Sequence, residues 1–238
     1  MKNLKLIKIA TYLMFSFMVG FLVAFFIYNQ TFLKLIDSFK IIPWWGYFLI
    51  VFIMFMLTLA LHELTHALIF RIQGVKIKAV YLFIFKFIKK NKVFIPSIDF
   101  RLAILGGGLV VPDLNPITNE EEYNKISKIF AKSLIAAPIA TIVFMILMII
   151  ADFFMILFVS NLFVLGVFTL STIATVLLSL LYIASSKVST DQIAGDFVAH
   201  DKMLNDELFR LNAISSYLVF NNKSEEESKA FINNKIIN

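Results

Sequence analysis

The sequence predicts a membrane all-α protein of about four transmembrane helices. A small membrane-associated β-hairpin or sheet is expected between helices 2 and 3, and a cytoplasmic helical C-terminus after helix 4. Three observations predict it. Of 238 residues 60% are hydrophobic and 16% charged, with a mean hydropathy of +0.85, whereas a soluble domain runs at about 45–50% apolar and 25% charged. The apolar residues fall in long charge-free blocks rather than scattered stripes. Between the second and third blocks the chain turns to alternating, aromatic and β-branched residues, and beyond the last it is polar. The chain has no cysteine, which excludes disulfide scaffolds, thiolate metal sites and cysteine nucleophiles together.

The first span is predicted at about 9–28, since Ile9 to Tyr28 carries no charge and about 20 residues cross the hydrocarbon core. Lys2, Lys5 and Lys8 precede it, but the run is longer than a signal peptide's apolar region, so it reads as an uncleaved anchor. The second span, about 43–70, opens on Pro43-Trp44, a good first-turn position for proline. Ser133 to Ser186 carries one charge, Asp152, and holds two spans, about 133–158 and 162–185, joined near Ser160-Asn161. Residues 1–190 form the predicted membrane core and 191–238 a cytoplasmic segment.

The net charge of +6 reads as topology. Arg71, Lys76, Lys78, Lys86, Lys89, Lys90, Lys92 and Arg101 crowd the segment after span 2, and Lys125, Lys128 and Lys132 precede span 3. The positive-inside rule places these loops and both termini in the cytoplasm. The same bias explains the basic hairpin without nucleic acid. Residues 75–110 alternate as strands do: Val75 to Lys78, Tyr81 to Ile88, Val93 to Ile95 and Asp99 to Leu105, with a turn at Lys89-Lys90-Asn91. Val111 to Glu122 reads as a polar loop, Asp201 to Phe220 as one helix, and Asn221 to Asn238 as a charged tail.

His62-Glu63-Leu64-Thr65-His66 has the spacing HExxH. Residues four apart on a helix lie about 40° apart around its axis. Both imidazoles can therefore reach one Zn2+, while Glu63 stands beside the water that the metal activates. The glutamate can take that water's proton and pass it to a leaving amine. Two of the 3 histidines form the motif, and they lie in an apolar helix, where ionisable groups are costly and mark function. One zinc per chain is expected. His62 lies about 27 Å along a helix starting at Pro43-Trp44, and Arg71 about 13 Å further, which sets the metal below the cytoplasmic interface.

With this motif the chain resembles the site-2 protease family of intramembrane zinc metalloproteases. Arg71-Ile72-Gln73-Gly74-Val75 is similar to the turn after the family's motif helix, and Arg101 to Gly107 to the strand and glycine pair of its β-hairpin. Ala136-Ala137-Pro138-Ile139-Ala140-Thr141 is similar to the Gly-Pro-x-x-Asn segment of its next core helix, with Ala137 in place of Gly and Thr141 in place of Asn. The resemblance implies that Gly106, Gly107, Pro138 and Thr141 position substrate. It also implies an Asp as third ligand, usually followed by Gly. Asp191 in Ser189-Thr190-Asp191-Gln192 is the best match, although Gln192 stands where Gly is expected, and Asp196, after Gly195, is its rival. The implied substrate is a membrane-spanning or short hydrophobic peptide, cleaved near the cytoplasmic face. The implied location is a bilayer, the plasma membrane of a bacterium.

Two other readings stay open. One is a non-catalytic accessory or immunity protein of the same fold, suggested by the missing Gly beside Asp191. The other is a zinc protease whose third ligand is Glu or His. For the latter, Glu120-Glu121-Glu122 reads better as a solvated helix start, and His200 as a solvated surface side chain. Asp152 is expected to be solvated at the outer interface.

Overall fold

The computed structural model describes residues 12–14, 16–17, 19–20, 24, 30–91, 93–105, 107–190, 194–220 and 222–237. The predicted first span lies largely outside them. The continuous part opens with a short helix, α1 (Thr31–Lys40), and the chain then enters α2 (Trp44–Ile72), one residue after Pro43. Two further long helices are α3 (Glu120–Phe158) and α4 (Leu162–Ser185). These three are long and apolar enough to cross a membrane, and their apolar residues surround the axis instead of forming a stripe, as expected where lipid replaces water.

Local chemistry sets their ends. α3 starts well ahead of the predicted 133 because Asn119 and Glu122 cap it. The Asn119 side chain accepts from the Glu122 N–H at 3.0 Å, while the Glu122 carboxylate accepts from the Thr118 N–H at 2.8 Å. Glu120, Glu121 and Glu122 in the first turn also complement the helix dipole. Asn161 caps α4 by accepting from Val164 N–H at 3.1 Å. That places the break between the last two spans where the sequence predicts it.

Between α2 and α3 lies a four-stranded antiparallel sheet in the order β3-β2-β1-β4. Its strands are β1 (Lys76–Leu82), β2 (Phe85–Lys90), β3 (Val93–Ile98) and β4 (Gly108–Asp113). Asn91 takes the left-handed conformation (φ 47°) in the predicted β2–β3 turn, as asparagine readily does. The predicted strand at Asp99–Leu105 is instead a 3-10 turn, Phe100–Leu105. Asp99 captures the Arg101 N–H at 3.2 Å and its guanidinium at 2.8 and 2.7 Å, a local competition that withdraws the backbone from a ladder. The fourth strand comes later, from residues partly read as loop. Leu109, Val110 and Val111 pair with Tyr81, Val80 and Ala79.

The predicted C-terminal helix is two helices, α5 (Asp196–Asn205) and α6 (Glu207–Leu218). The break is at Asp206, whose side chain caps α6 by accepting from Phe209 N–H at 3.0 Å. The predicted charged tail is also helical, α7 (Asn222–Ile237). It buries Ile232, and its Ser228 hydroxyl accepts from Ile117 N–H at 2.9 Å.

The chain divides into two compact units, one of Met1–Val51 with Ile149–Thr172 and one of Phe52–Met148 with Ile173–Asn238. In the first, Asp152 is 9% exposed and accepts from the Thr169 hydroxyl at 2.8 Å. It is thus buried rather than solvated, because the facing helix supplies a hydroxyl. The second has a core that includes Leu59, Phe70, Val110, Phe130, Met203 and Ile214. Asp206→Ala should cost about 1 kcal/mol through loss of the α6 cap, read as a lowered unfolding midpoint of the protein in detergent.

Candidate metal centre

A spacing of four residues, close to one helical turn of 3.6, brings His62 and His66 to one side of α2, with ring centroids 5.1 Å apart. His62 is 6% and Glu63 7% exposed, so these polar groups lie inside the second unit. Their orientation comes from α3. The Nδ1 of His66 lies 3.0 Å from the Ser133 carbonyl oxygen. A carbonyl only accepts, so Nδ1 carries the proton and Nε2 is the nitrogen left to bind a cation. The Nδ1 of His62 lies 3.1 Å from the Thr141 hydroxyl, whose own proton is donated to the Ala137 carbonyl at 3.0 Å. Thr141 can therefore only accept from His62, which leaves Nε2 of that ring available too. Such partners on the far nitrogen are the usual means of fixing a metal-binding imidazole.

Both Nε2 atoms face one carboxylate. Asp196 Oδ2 lies 2.9 Å from Nε2 of His62 and 3.5 Å from Nε2 of His66. The three prospective ligand atoms all lie within 4.8 Å of one another. Asp196 reaches this place through a tight return of the chain. Gly195 N–H donates to Val188 carbonyl at 2.9 Å and Phe197 N–H to Ser186 carbonyl at 3.0 Å. A Cβ at position 195 would meet the Ser185 carbonyl oxygen and lie 2.6 Å from the Ser186 carbonyl carbon. Only glycine fits there.

Glu63 is set by the sheet. A Cβ at Gly108, the first residue of β4, would sit 2.6 Å from the Glu63 Cδ and 2.8 Å from its Oε1. The strand's backbone thus lies directly against the carboxylate. A cavity of about 130 Å3 opens at this point, and Glu63, Asp196, Gly108, Phe130, Leu134 and Tyr217 are among the residues that line it. Burial, then the charges of Glu63 and Asp196, push the Tyr217 hydroxyl up to about 12, so it is a donor and never an anion near neutrality.

The donor set fits zinc: two imidazole nitrogens with anchored rings, one carboxylate oxygen, and a neighbouring cavity for a fourth ligand. The family model of peptidase family M50 matches residues 50–222, more than half the chain.

The chain belongs to peptidase family M50, the family of the site-2 proteases. Family M50 consists of zinc metalloproteases, so a membrane metalloprotease is the class that the chain represents. No match was found among curated proteins or solved structures.

Among the residues singled out from the sequence of this M50 chain, His62, Glu63, His66 and Thr141 lie together with Asp196. Asp191 and Gly106 lie outside the described residues. The Gly107 carbonyl accepts from Phe83 N–H at 3.0 Å, and Pro138 is fully buried within α3. Proline there leaves the Leu134 carbonyl without its helical donor. His200 is half-buried and bonds the Ala131 carbonyl through Nδ1 at 2.8 Å, so it is not the solvated side chain the sequence suggests. Sequence reasoning missed Ser133, Gly108 and Tyr217, and also Tyr182, whose ring stacks on His62 at 5.4 Å. The run Gly106-Gly107-Gly108, which permits close backbone approach, was the one local signal, and it bears on Gly108 alone. Thr141→Val, which removes the acceptor for His62 Nδ1, should weaken zinc affinity by about 10- to 100-fold, measured by competition with a chromogenic chelator.

Proposed function

We propose that this chain is a zinc-dependent intramembrane endopeptidase in which His62, His66 and Asp196 hold one Zn2+ and Glu63 is the general base. The observation that carries the proposal is the convergence of both imidazoles on one carboxylate oxygen beside the glutamate of HExxH. Zinc bound there supplies a Lewis acid that acidifies water and polarises the scissile carbonyl. Glu63 takes the water's proton and returns it to the leaving amine. The buried position of Glu63 keeps competing solvent away from that transfer.

The substrate is a membrane-spanning or short hydrophobic peptide. Its helical peptide bonds are shielded by their own hydrogen bonds, so it must be drawn out before hydrolysis. β4 supports this step: it pairs with β1 on one side, and no described strand pairs with its other side. An extended peptide laid along that edge gains main-chain hydrogen bonds, and Gly108 brings its backbone towards Glu63. A fourth span at about 9–28, both termini in the cytoplasm, and a bacterial plasma membrane complete the reading. The lysine and arginine excess around the sheet supports that orientation.

The protein purified in detergent should hold one zinc per chain by elemental analysis. Asp196→Ala should lose most of it, while Asp191→Ala keeps it. Glu63→Gln should retain zinc yet lose cleavage of a fluorogenic leucine-rich peptide by at least about 10³-fold, as expected when an essential proton carrier is removed. Full cleavage by Glu63→Gln, or a wild-type protein that binds no zinc, would overturn the proposal. Gly108→Ala tests the strand contact separately. It should keep zinc and lose on the order of 10²-fold in kcat, because a displacement of about 1 Å near the reacting groups costs that much.

A further inference from the structure

Peptide hydrolysis places a negative charge on the carbonyl oxygen in the transition state, and a donor aimed at that oxygen is worth a large part of the acceleration. Resting on the protease reading above, the question is which group of this chain can donate. Most hydroxyls around the metal centre are already committed. The Thr141 proton goes to the Ala137 carbonyl while its oxygen accepts from His62. The Ser133 hydroxyl faces His66 on both counts, near its Nδ1 at 3.1 Å and its carbonyl at 3.4 Å. Tyr182 stacks on His62, but its hydroxyl is closed off and is not on the cavity wall.

Tyr217 differs in each respect. It lines the same cavity as His62, Glu63, His66 and Asp196. Its hydroxyl has no hydrogen-bond partner among the described residues. Its ring is held against Phe130 at a centroid distance of 5.0 Å, and the last turns of α6 that carry it are anchored by Leu211, Ile214 and Leu218, each at most 3% exposed. It is therefore a phenol positioned beside Phe130 in the wall of the metal-centre cavity, where the other lining hydroxyl, that of Ser133, is already engaged.

We propose that Tyr217 is a further catalytic residue, whose hydroxyl donates a hydrogen bond to the carbonyl oxygen of the scissile bond as charge develops on it. The donation involves no net proton transfer: the phenol keeps its proton, and the proton for the leaving amine comes by way of Glu63. Helix α6 then belongs to the active site and is more than a cover for it, and the chain needs its segment beyond α4 for chemistry.

The test is Tyr217→Phe in the full-length protein, purified in detergent and assayed with the leucine-rich peptide and with a phosphonamidate of the same sequence, which mimics the tetrahedral transition state. Zinc content and KM should stay within about twofold of wild type, while kcat falls on the order of 10²-fold, the cost of removing one such donor. The phosphonamidate inhibition constant should rise by a similar factor, which a merely structural role would not produce. The unfolding midpoint of Tyr217→Phe should match that of wild type, which guards against a packing explanation. Unchanged kcat and phosphonamidate inhibition in Tyr217→Phe would overturn the assignment, while loss of cleavage in Glu63→Gln would leave the protease reading standing. Loss of zinc, or a raised KM with kcat intact, would make Tyr217 a wall of the cavity and overturn it equally. A wild-type protein with neither zinc nor cleavage would overturn both readings.

Discussion

The carbonyl of Ser133 can only accept a hydrogen bond, and the rest of the centre depends on that limitation. It forces the proton of His66 onto Nδ1 and turns Nε2 towards Asp196. Thr141 does the same for His62, because its only proton is already given to Ala137. Two rings on α2 thus receive their tautomer from α3. An imidazole free to rotate in an apolar helix would lose rotamer entropy on binding a cation and would offer the wrong nitrogen part of the time. Here both costs are met when the helices pack. The fixed rings in turn define the single point that a carboxylate must reach, and Gly195 allows the chain to turn back closely enough for Asp196 to reach it.

Burying this many polar groups is unfavourable unless each is answered by a partner. The imidazoles are answered by carbonyl and hydroxyl groups of α3 and by the Asp196 carboxylate, and the glycine backbone of β4 lies against Glu63. A bundle of lipid-facing helices alone could not provide a glycine strand or a helix start at the same depth. The sheet between α2 and α3 and the helices after α4 therefore explain how the candidate metal centre is built on a long apolar helix. They bring backbone and polar side chains to it without exposing unpaired amides to lipid.

Much of this was legible from residue order, and the parts that were not share a cause. The HExxH pair, the two late apolar helices and the break at Asn161 are local patterns, and local patterns survive in a linear sequence. For the third ligand the sequence favoured Asp191, which lies outside the described residues, over Asp196, which lies beside both imidazoles. The family pattern puts glycine after the aspartate, whereas here glycine precedes Asp196, because the close approach falls on the incoming chain at Ser185–Ser186. The start of α3 was half legible: Glu120 to Glu122 read as a solvated helix start, but its continuity with the apolar run from 133 rests on caps from Asn119 and Thr118 that only the structure shows. Asp99 to Leu105 alternates like a strand, yet one Asp–Arg pairing was enough to curl it. Ser133 and Tyr217 carry no local mark at all. Their roles arise from what lies across from them, at sequence separations of 67 for His66 and Ser133 and more for Tyr217.

The same physics shows why Thr141 can stand where the family has Asn without loss of the centre. An asparagine side chain offers two donors and one acceptor oxygen, so it could hold His62 and still donate elsewhere. Threonine has one proton, and the helix takes it at the Ala137 carbonyl. Whatever the amide's spare donor would have served must then be served by another group around the cavity. The hydroxyls on the cavity wall are those of Ser133 on α3 and Tyr217 on α6, and Ser133 is already engaged with His66.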